Sequence, residues 1–314
     1  MHKLEIKHLI GLENTSKKDI DRIIDVGFIF REVLERPIKK VPTLQGKNIL
    51  NLFFENSTRT KISFELAEKR LSADVTNFSA SSSSVQKGES LRDTIQNIHV
   101  MKMDCVVMRH PVPGSCLQLT NYVDVPIVNA GDGTHEHPTQ ALLDIMSIKE
   151  KFGKVEGLKI GIVGDILHSR VALSNIFGLV KLGAKVKLCA PPHLLQRNIE
   201  HLGVSVTYDV DELIEWADAI NVLRIQKERM GLGLIPSVRE YRTFFGITNE
   251  RIKRHKKEIV HTRSYLSSLI GLVLKVLFGT KFLFDMRGLW ADEKVDSGVW
   301  LRKSVLFKIS KRLE

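Results

Sequence analysis

Short apolar runs alternate with segments of helical periodicity along most of this chain. Buried strands are predicted at 48–54 (NILNLFF), 104–108, 125–128, 158–165 (LKIGIVGD), 185–189 and 219–223, where few polar residues interrupt the runs. Helices are predicted at 16–35, 58–71, 138–151, 170–182 and 211–217. Because strands that alternate with helices form parallel sheets, the pattern predicts an α/β protein.

The length indicates two domains. A chain of 314 residues fits two units of roughly 150 residues each. The polar and glycine-containing stretch FGKVEG (152–157) separates two series of strands and helices. We therefore expect one domain over residues 1–150 and a second over 151–294, each with a parallel sheet flanked by helices.

Composition excludes several classes of protein. The net charge is +11, but residues 251–314 alone carry 15 basic and 6 acidic side chains, without interleaved aromatic residues or a nucleic-acid motif. We therefore expect no nucleic-acid partner. The first residues lack the apolar run of a secretory signal, and no membrane partner is expected. The cysteines lack C-x-x-C spacing, which favours a reducing, cytoplasmic location; they are Cys105, Cys116 and Cys189.

The segment FFENSTRTKISFE (53–65) predicts an anion site. A buried strand ends here, and Ser57 stands at the expected N-cap of the next helix. Thr58, Arg59 and Thr60 then occupy the first helical turn, whose backbone N–H groups lack intrahelical acceptors. Two hydroxyls and a guanidinium add donors at that point. An ordinary capped helix is the alternative, but it does not explain so many consecutive donors, and we favour a phosphate.

Further polar residues follow predicted strands. Arg109 and Arg170 stand where strands end, and Arg224 and Gln226 alternate with apolar residues after another strand. The carboxyl ends of parallel strands are where α/β sheets bind ligands, although solvent-facing side chains are the alternative for each.

The His-Glu-His sequence at 135–137 suggests a metal site. We expect none, because neighbouring residues point to different faces and no third ligand is evident.

Several motifs resemble one family in its own order. S-T-R-T followed by K-x-S-F-E resembles the carbamoyl-phosphate signature of the aspartate/ornithine carbamoyltransferases. The similarity continues in SSSSVQKGESLRDT (81–94), MRHP (108–111), NAGDGTHEHPTQALLD (129–144), VGDILHSR (163–170), VLRIQKER (222–229) and PSVREY (236–241). It covers about residues 3–260. The H-P-T-Q and R-x-Q-x-E-R forms resemble the branch that uses aspartate.

The resemblance implies a reaction and a set of site residues. Carbamoyl phosphate and L-aspartate would give N-carbamoyl-L-aspartate and phosphate, a step of pyrimidine biosynthesis, without cofactor or metal. The implied catalytic residues are Thr60, Arg109 and His137. The implied carbamoyl-phosphate ligands are these three with Ser57, Thr58, Arg59, Gln140 and Ser83. The implied aspartate ligands are Lys87, which would also approach the phosphate, Arg170, Arg224 and Gln226.

The resemblance also implies an oligomer. In the family the serine-rich loop, here 79–90, reaches the active site of a neighbouring subunit, so a homotrimer with shared sites is expected. The first domain would bind carbamoyl phosphate and the second aspartate. Residues 295–314 would form a C-terminal helix that packs back on the first domain. Whether a regulatory subunit binds is left open.

One segment departs from the family. Its late His-Pro-Gly-Pro or His-Pro-Leu-Pro loop is absent, and the chain reads HTRSYLSSLIGLVLKVLFGTKFLF at 261–284. Two compensating frame errors would explain this, because one deleted nucleotide can convert codons for His-Thr-Arg-Ser into His-Pro-Gly-Pro. True divergence over 261–294 is the alternative. The chain could then be a carbamoyl-phosphate-binding homologue with an impaired site, or a carbamoyltransferase for another amino acid.

Overall fold

The first sheet is a parallel four-stranded sheet in the amino-terminal half. A computed structural model describes residues 4–55, 57–79, 102–226, 237–255, 259–262 and 281–284. The sheet has the order β2-β1-β3-β4. Its strands are β1 (Asn48–Phe53), β2 (Asp74–Ser79), β3 (Cys105–His110) and β4 (Ile127–Asp132). The helices of this half are α1 (Lys17–Leu34), α2 (Thr58–Arg70), α3 (Ser115–Leu119) and α4 (Pro138–Phe152).

A second four-stranded sheet follows in the chain. Its strands are β5 (Lys159–Val163), β6 (Lys185–Cys189), β7 (Ser205–Thr207) and β8 (Ala219–Val222), in the order β7-β6-β5-β8. The helices are α5 (Arg170–Lys181), α6 (Val210–Trp216), α7 (Val238–Phe245) and α8 (Asn249–Arg254). Two short strands, β9 (Ile259–Thr262) and β10 (Lys281–Phe284), pair in parallel. The predicted α/β fold with two parallel sheets is confirmed.

The chain divides into two compact units. The first contains Met1–Lys159, Ile166–Val186 and His193–Ser205; the second contains Ile160–Asp165, Lys187–Pro192 and Val206–Glu314. The proposed roles of the two domains, with boundaries after 150 and 294, stay predictions. The predicted C-terminal helix at 295–314 lies outside the described residues. Among the residues that are described, no helix has the length and apolar character needed to cross a membrane.

The core of the first unit explains why its strands could be predicted. Along β1, Leu50 and Leu52 pack on one face of the sheet, while Ile49 and Phe53 pack on the other. Both faces are therefore buried, and the strand has the nearly continuous apolar sequence of a parallel sheet. The helix α1 begins after Ser16, whose hydroxyl accepts the Asp19 N–H as the predicted N-cap.

A buried polar pair holds α2 against β1. Glu68 is the one buried side chain among the residues of α2, and its Oε2 accepts a hydrogen bond of 2.7 Å from Asn51 Nδ2. Neither Glu68 Oε1 nor Asn51 Oδ1 has a hydrogen-bond partner among the described residues. Burial raises the pKa of Glu68, and the nearby Glu65 carboxylate adds to the shift, although the bond from Asn51 opposes it. A proton on Oε1 would give this pair a donor that Asn51 Oδ1 is able to accept.

We expect the stability of the fold to depend on this proton. Because the folded state raises the pKa of Glu68 above its ordinary value of 4.5, stability is greatest below that value and falls as the pH rises through the folded pKa. Glu68→Gln carries a permanent donor at this position. The denaturation midpoint of the wild type, measured relative to that of Glu68→Gln, should therefore decrease as the pH is raised from 5 to 8.

Glu65→Gln provides the control on the same helix. Hydrogen bonding to Lys69 lowers the pKa of Glu65, so its contribution is lost only as the pH falls and stays constant from pH 5 to 8. Glu68→Leu should cost about 1–3 kcal/mol at pH 5, because it leaves the Asn51 amide unpaired. A difference between wild type and Glu68→Gln that does not change with pH would show that Glu68 is ionised throughout.

Candidate active site

The beginning of α2 has the predicted form with one correction. The helix starts at Thr58, as expected, and Ser57 stands at the N-cap position. The Ser57 side chain makes no capping hydrogen bond, because its Oγ instead donates to Thr60 Oγ1 at 2.9 Å. The backbone N–H groups of this first turn therefore stay without a side-chain cap from Ser57, and an anion can bind them.

A cavity of about 260 Å³ opens beside this turn. It brings together four of the residues predicted from sequence, Arg59 and Thr60 of α2 with His137 and Gln140 at the start of α4. The remaining lining residues are Ser63, Phe64, Ala67, Thr139 and Leu143. The wall therefore combines the amino-terminal turns of two helices, and both turns direct positive dipole ends toward the site.

The backbone at His137 is fixed by buried hydrogen bonds. His137 stands at the N-cap position of α4, before Pro138, and its N–H donates to Ser174 Oγ at 2.8 Å. Ser174 Oγ in turn donates to Glu136 Oε2 at 2.7 Å. The Glu136 carboxylate also accepts the N–H groups of Leu12 (2.7 Å) and Glu13 (3.1 Å). The position of His137 thus depends on residues far apart in the sequence.

Two of the predicted arginines share one carboxylate. Arg109 and Arg170 are buried, with 8% and 5% of their surface exposed. Glu55 Oε1 accepts from Arg109 Nη2 at 2.8 Å and from Arg170 Nη2 at 2.9 Å, while Glu55 Oε2 accepts from Arg170 Nη1 at 3.0 Å. Each guanidinium also donates to a carbonyl oxygen through Nη1, Arg109 to Ala130 O at 3.1 Å and Arg170 to Gly133 O at 3.2 Å.

The expectation that the neighbouring side chains at 135–137 point to different faces, with no third potential metal ligand, was wrong. The potential ligand atoms of Glu13, His135 and Glu136 lie within 4.8 Å of one another, so neighbouring side chains do converge here. Two of the three are engaged, because Glu136 accepts three hydrogen bonds and His135 Nδ1 lies 3.1 Å from Asp132 Oδ2. The Asp132 hydrogen bond raises the pKa of His135, which favours an imidazolium and disfavours a metal ligand.

The other predicted site residues lie elsewhere or outside the described residues. In the second unit, Arg224 and Gln226 follow β8, which ends at Val222, and the Gln226 N–H donates to Asp165 Oδ2 at 3.1 Å. Ser83 and Lys87, with the serine-rich loop, lie outside the described ranges.

Sequence reasoning missed the role of Glu55. The residue stands two positions before the predicted N-cap. Its position directly after a buried strand was a signal, since the predicted arginines at strand ends require a counter-ion when they are buried.

Comparisons with known proteins agree with this geometry. A family profile described as "Aspartate/ornithine carbamoyltransferase, carbamoyl-P binding domain" matches residues 7–150. The aspartate carbamoyltransferase catalytic subunit of Christiangramia forsetii is 50% identical over 312 residues, 99% of both chains. That of Cytophaga hutchinsonii is 55% identical over 260 residues, 83% of this chain and 85% of the relative.

Solved structures show the same relationship. Aspartate transcarbamoylase from Trypanosoma cruzi, in complex with carbamoyl phosphate and aspartate, matches with a TM-score of 0.72 and 32% identity over 81% of this chain and 84% of that chain. The catalytic subunit of M. jannaschii aspartate transcarbamoylase matches with a TM-score of 0.68 and 34% identity over 90% of this chain and 86% of that chain. The chain therefore belongs to the aspartate/ornithine carbamoyltransferase family, among the aspartate carbamoyltransferase catalytic subunits.

Proposed function

We infer that the chain transfers the carbamoyl group of carbamoyl phosphate to the amine of L-aspartate, giving N-carbamoyl-L-aspartate and phosphate. The observation that carries this function is the single cavity lined by Arg59 and Thr60 from one helix start and by His137 and Gln140 from another. Relatives named for this activity match nearly the whole chain. The cavity offers cationic and hydroxyl donors for a phosphate next to groups suited to a carbamoyl group.

The phosphate binds at the start of α2. Ser57, Thr58, Arg59 and Thr60 contribute hydroxyls, a guanidinium and uncapped backbone N–H groups at the positive end of the helix dipole. Ser83 is assigned to the same ligand by its place in the family motif. A phosphate that binds these donors is also stabilised as the leaving group, because its charge increases as the bond to carbon breaks.

The carbonyl oxygen is the point at which negative charge develops during attack. The neutral aspartate amine forms a C–N bond to the carbamoyl carbon, the C–O bond to phosphate breaks, and the amine proton is accepted by the released phosphate. Thr60, Arg109 and His137 donate to the carbonyl oxygen, in the manner of an oxyanion hole. Because no covalent intermediate on the protein is required, the chain contributes positioning and electrostatic stabilisation.

Aspartate binds through its two carboxylates. We assign Lys87, Arg170, Arg224 and Gln226 to this substrate. The bidentate contact between Arg170 and Glu55 supports the assignment, because it shows that this guanidinium is oriented to bind a carboxylate through both Nη atoms. Binding of substrate at Arg170 then requires Glu55 to share or release one of these donors.

We also propose a homotrimer with shared sites, which the family position of Ser83 and Lys87 supports. Residues 1–150 bind carbamoyl phosphate and residues 151–294 bind aspartate, with Lys87 of the first domain as an additional aspartate ligand. Three cysteines without disulfides support a cytoplasmic location. The product makes the chain an enzyme of pyrimidine biosynthesis.

The direct test is product formation by the purified full chain. With carbamoyl phosphate, we expect carbamoyl-aspartate from L-aspartate and at least 100-fold less product from L-ornithine, because a site that pairs a second carboxylate leaves arginines unpaired when that carboxylate is absent. Liquid chromatography with mass spectrometry separates the two products.

The other outcomes identify the alternatives. Preference for ornithine would contradict the aspartate assignment. If phosphate and carbamoyl phosphate bind to folded protein without product from either acceptor, the chain is a binding homologue whose departing segment 261–294 does not complete the site. In that case, reading codons 255–300 distinguishes frame errors from divergence.

A further inference from the structure

The amide of Gln140 is held in one orientation. Gln140 lines the cavity from the first turn of α4, and its Nε2 donates to Asp144 Oδ1 at 3.1 Å, one turn further along the same helix. Asp144 is buried, with 8% of its surface exposed. Its other oxygen, Oδ2, accepts from Nδ2 of the fully buried Asn175 on α5 at 2.8 Å.

The chemistry of Asp144 determines which end of the Gln140 amide reaches it. An ionised carboxylate only accepts hydrogen bonds, so the NH₂ group of Gln140 must be the end that faces Asp144. The carbonyl oxygen, Oε1, is therefore turned away from Asp144. Within the described ranges, no protein donor forms a hydrogen bond with Gln140 Oε1. The side chain thus offers an accepting oxygen on the side away from Asp144, while Nε2 keeps its second N–H.

Asn175 makes this orientation persistent. Because Asn175 Nδ2 occupies Asp144 Oδ2, the carboxylate cannot rotate freely, and Oδ1 stays directed at Gln140. Two donors from two different helices thus converge on one buried carboxylate. Such an arrangement resists replacement by an amide, which has one accepting oxygen in place of two.

We propose that Asp144 is a positioning residue that presents Gln140 as a hydrogen-bond acceptor, and that this pair selects acyl phosphates whose acyl group carries an N–H. The inference rests on the proposed function, in which Gln140 meets the carbamoyl NH₂ group. An acetyl group has a methyl in the place of that NH₂. It would leave Gln140 Oε1 without a donor, and acceptors that lose water on ligand binding and are left unpaired are costly.

The experiment compares two stable ligands that differ only at this group. Phosphonoacetamide carries the NH₂, and acetonylphosphonate carries a methyl in its place. Titration calorimetry on the full chain should show the wild type binding phosphonoacetamide at least tenfold more tightly, since about 1.4 kcal/mol corresponds to a factor of ten. In Asp144→Asn the new NH₂ can donate to Gln140 Oε1, so the Gln140 amide is free to rotate by about 180° and exchange the positions of its oxygen and nitrogen. The tenfold preference should then fall to about twofold or less.

A double-mutant comparison separates positioning from a general structural effect. Gln140→Ala should abolish the preference, and Asp144→Asn combined with Gln140→Ala should show no further change in the ratio. Glu150→Gln, which removes an exposed carboxylate from the same helix, should keep the wild-type ratio. The proposal is overturned if Asp144→Asn weakens both ligands equally, or if it keeps the full preference for phosphonoacetamide.

Failure of the proposed function has a different signature. Wild-type protein that binds neither phosphonate and forms no carbamoyl-aspartate contradicts the assigned function itself. Wild-type protein that forms carbamoyl-aspartate, but whose preference for the amide ligand survives in Asp144→Asn, contradicts only the role of Asp144.

Discussion

Replacing Arg109 with methionine is expected to lower kcat about 100–1000-fold, the loss typical of removing one oxyanion donor. The guanidinium is held by Ala130 O on one side and Glu55 Oε1 on the other, so it is fixed before substrate arrives. A donor fixed in this way stabilises the developing charge without reorganisation during the reaction. Methionine fills a similar volume, and Glu55 keeps its contacts with Arg170, so the fold should persist.

Steady-state kinetics at saturating aspartate, with thermal unfolding of the same preparations, checks this result. Arg36→Met is the control, because Arg36 is exposed and stands outside every assigned contact. It should retain the wild-type kcat. If Arg109→Met loses less than tenfold in kcat while remaining folded, Arg109 has no role at the carbonyl oxygen.

Local sequence was sufficient to predict a strand where both that strand and the strands beside it are apolar. The predicted strand at 48–54 corresponds to β1 (Asn48–Phe53). Its Leu50 and Leu52 pack in one apolar layer, and its Ile49 and Phe53 pack in the other. The predicted strand at 125–128 was too short, since β4 continues to Asp132. Asn129 and Asp132 are fully buried there, and Asn129 Nδ2 donates to Asp132 Oδ1 at 2.7 Å. A sequence pattern does not show that buried polar groups satisfy one another.

The strand β2 was missed for a related reason. Its sequence, DVTNFS, has only two apolar residues, Val75 and Phe78, and among the described strands it lies at the end of the sheet order, next to β1. Edge strands lack the continuous apolar run that identifies central strands of a parallel sheet. Only the pairing in register with β1 shows that this segment completes the sheet.

The candidate site likewise has features that follow from local sequence and features that follow from contacts between distant residues. The anion-binding turn of α2 is local, so Thr58, Arg59 and Thr60 could be placed from the sequence alone. The contact between Glu55 and Arg170 joins residues 115 positions apart, and no local pattern identifies Arg170 as the partner of Glu55. The orientation of Gln140 depends on Asn175 of another helix, through Asp144. Contacts of this kind follow from tertiary packing, which one sequence does not reveal.

The departing segment is informative at its two described parts. Ile259–Thr262 and Lys281–Phe284 form a parallel pair, with Val260 opposite Phe282 and Thr262 opposite Phe284. Parallel strands require a crossover connection of a dozen or more residues, and the intervening chain is long enough for one. Reading codons 255–300 decides between divergence and an altered frame.

The second large effect is expected at Gly131, a glycine that lies against both buried arginines. Its φ of +113° belongs to glycine, and a Cβ there would lie 2.9 Å from Arg170 Nε and 3.0 Å from Arg109 Nη1. The backbone cannot move away easily, because the Gly131 N–H donates to Asn129 Oδ1 at 2.7 Å. Gly131→Ala must therefore displace both guanidinium groups from their present positions.

We expect Gly131→Ala to lower kcat/KM for aspartate by about 100-fold or more, since a displacement of 1 Å in a positioned group can cost that factor. Backbone strain alone should cost about 1–3 kcal/mol of stability. Gly153→Ala is the matched control, because Gly153 has a φ of +74° but no atom within 4 Å of the added Cβ. It should lose stability and retain activity. Kinetics and thermal unfolding of both variants separate the loss of activity from the loss of stability. If Gly131→Ala and Gly153→Ala have equal kcat/KM values, the arginines tolerate displacement or do not take part in the reaction.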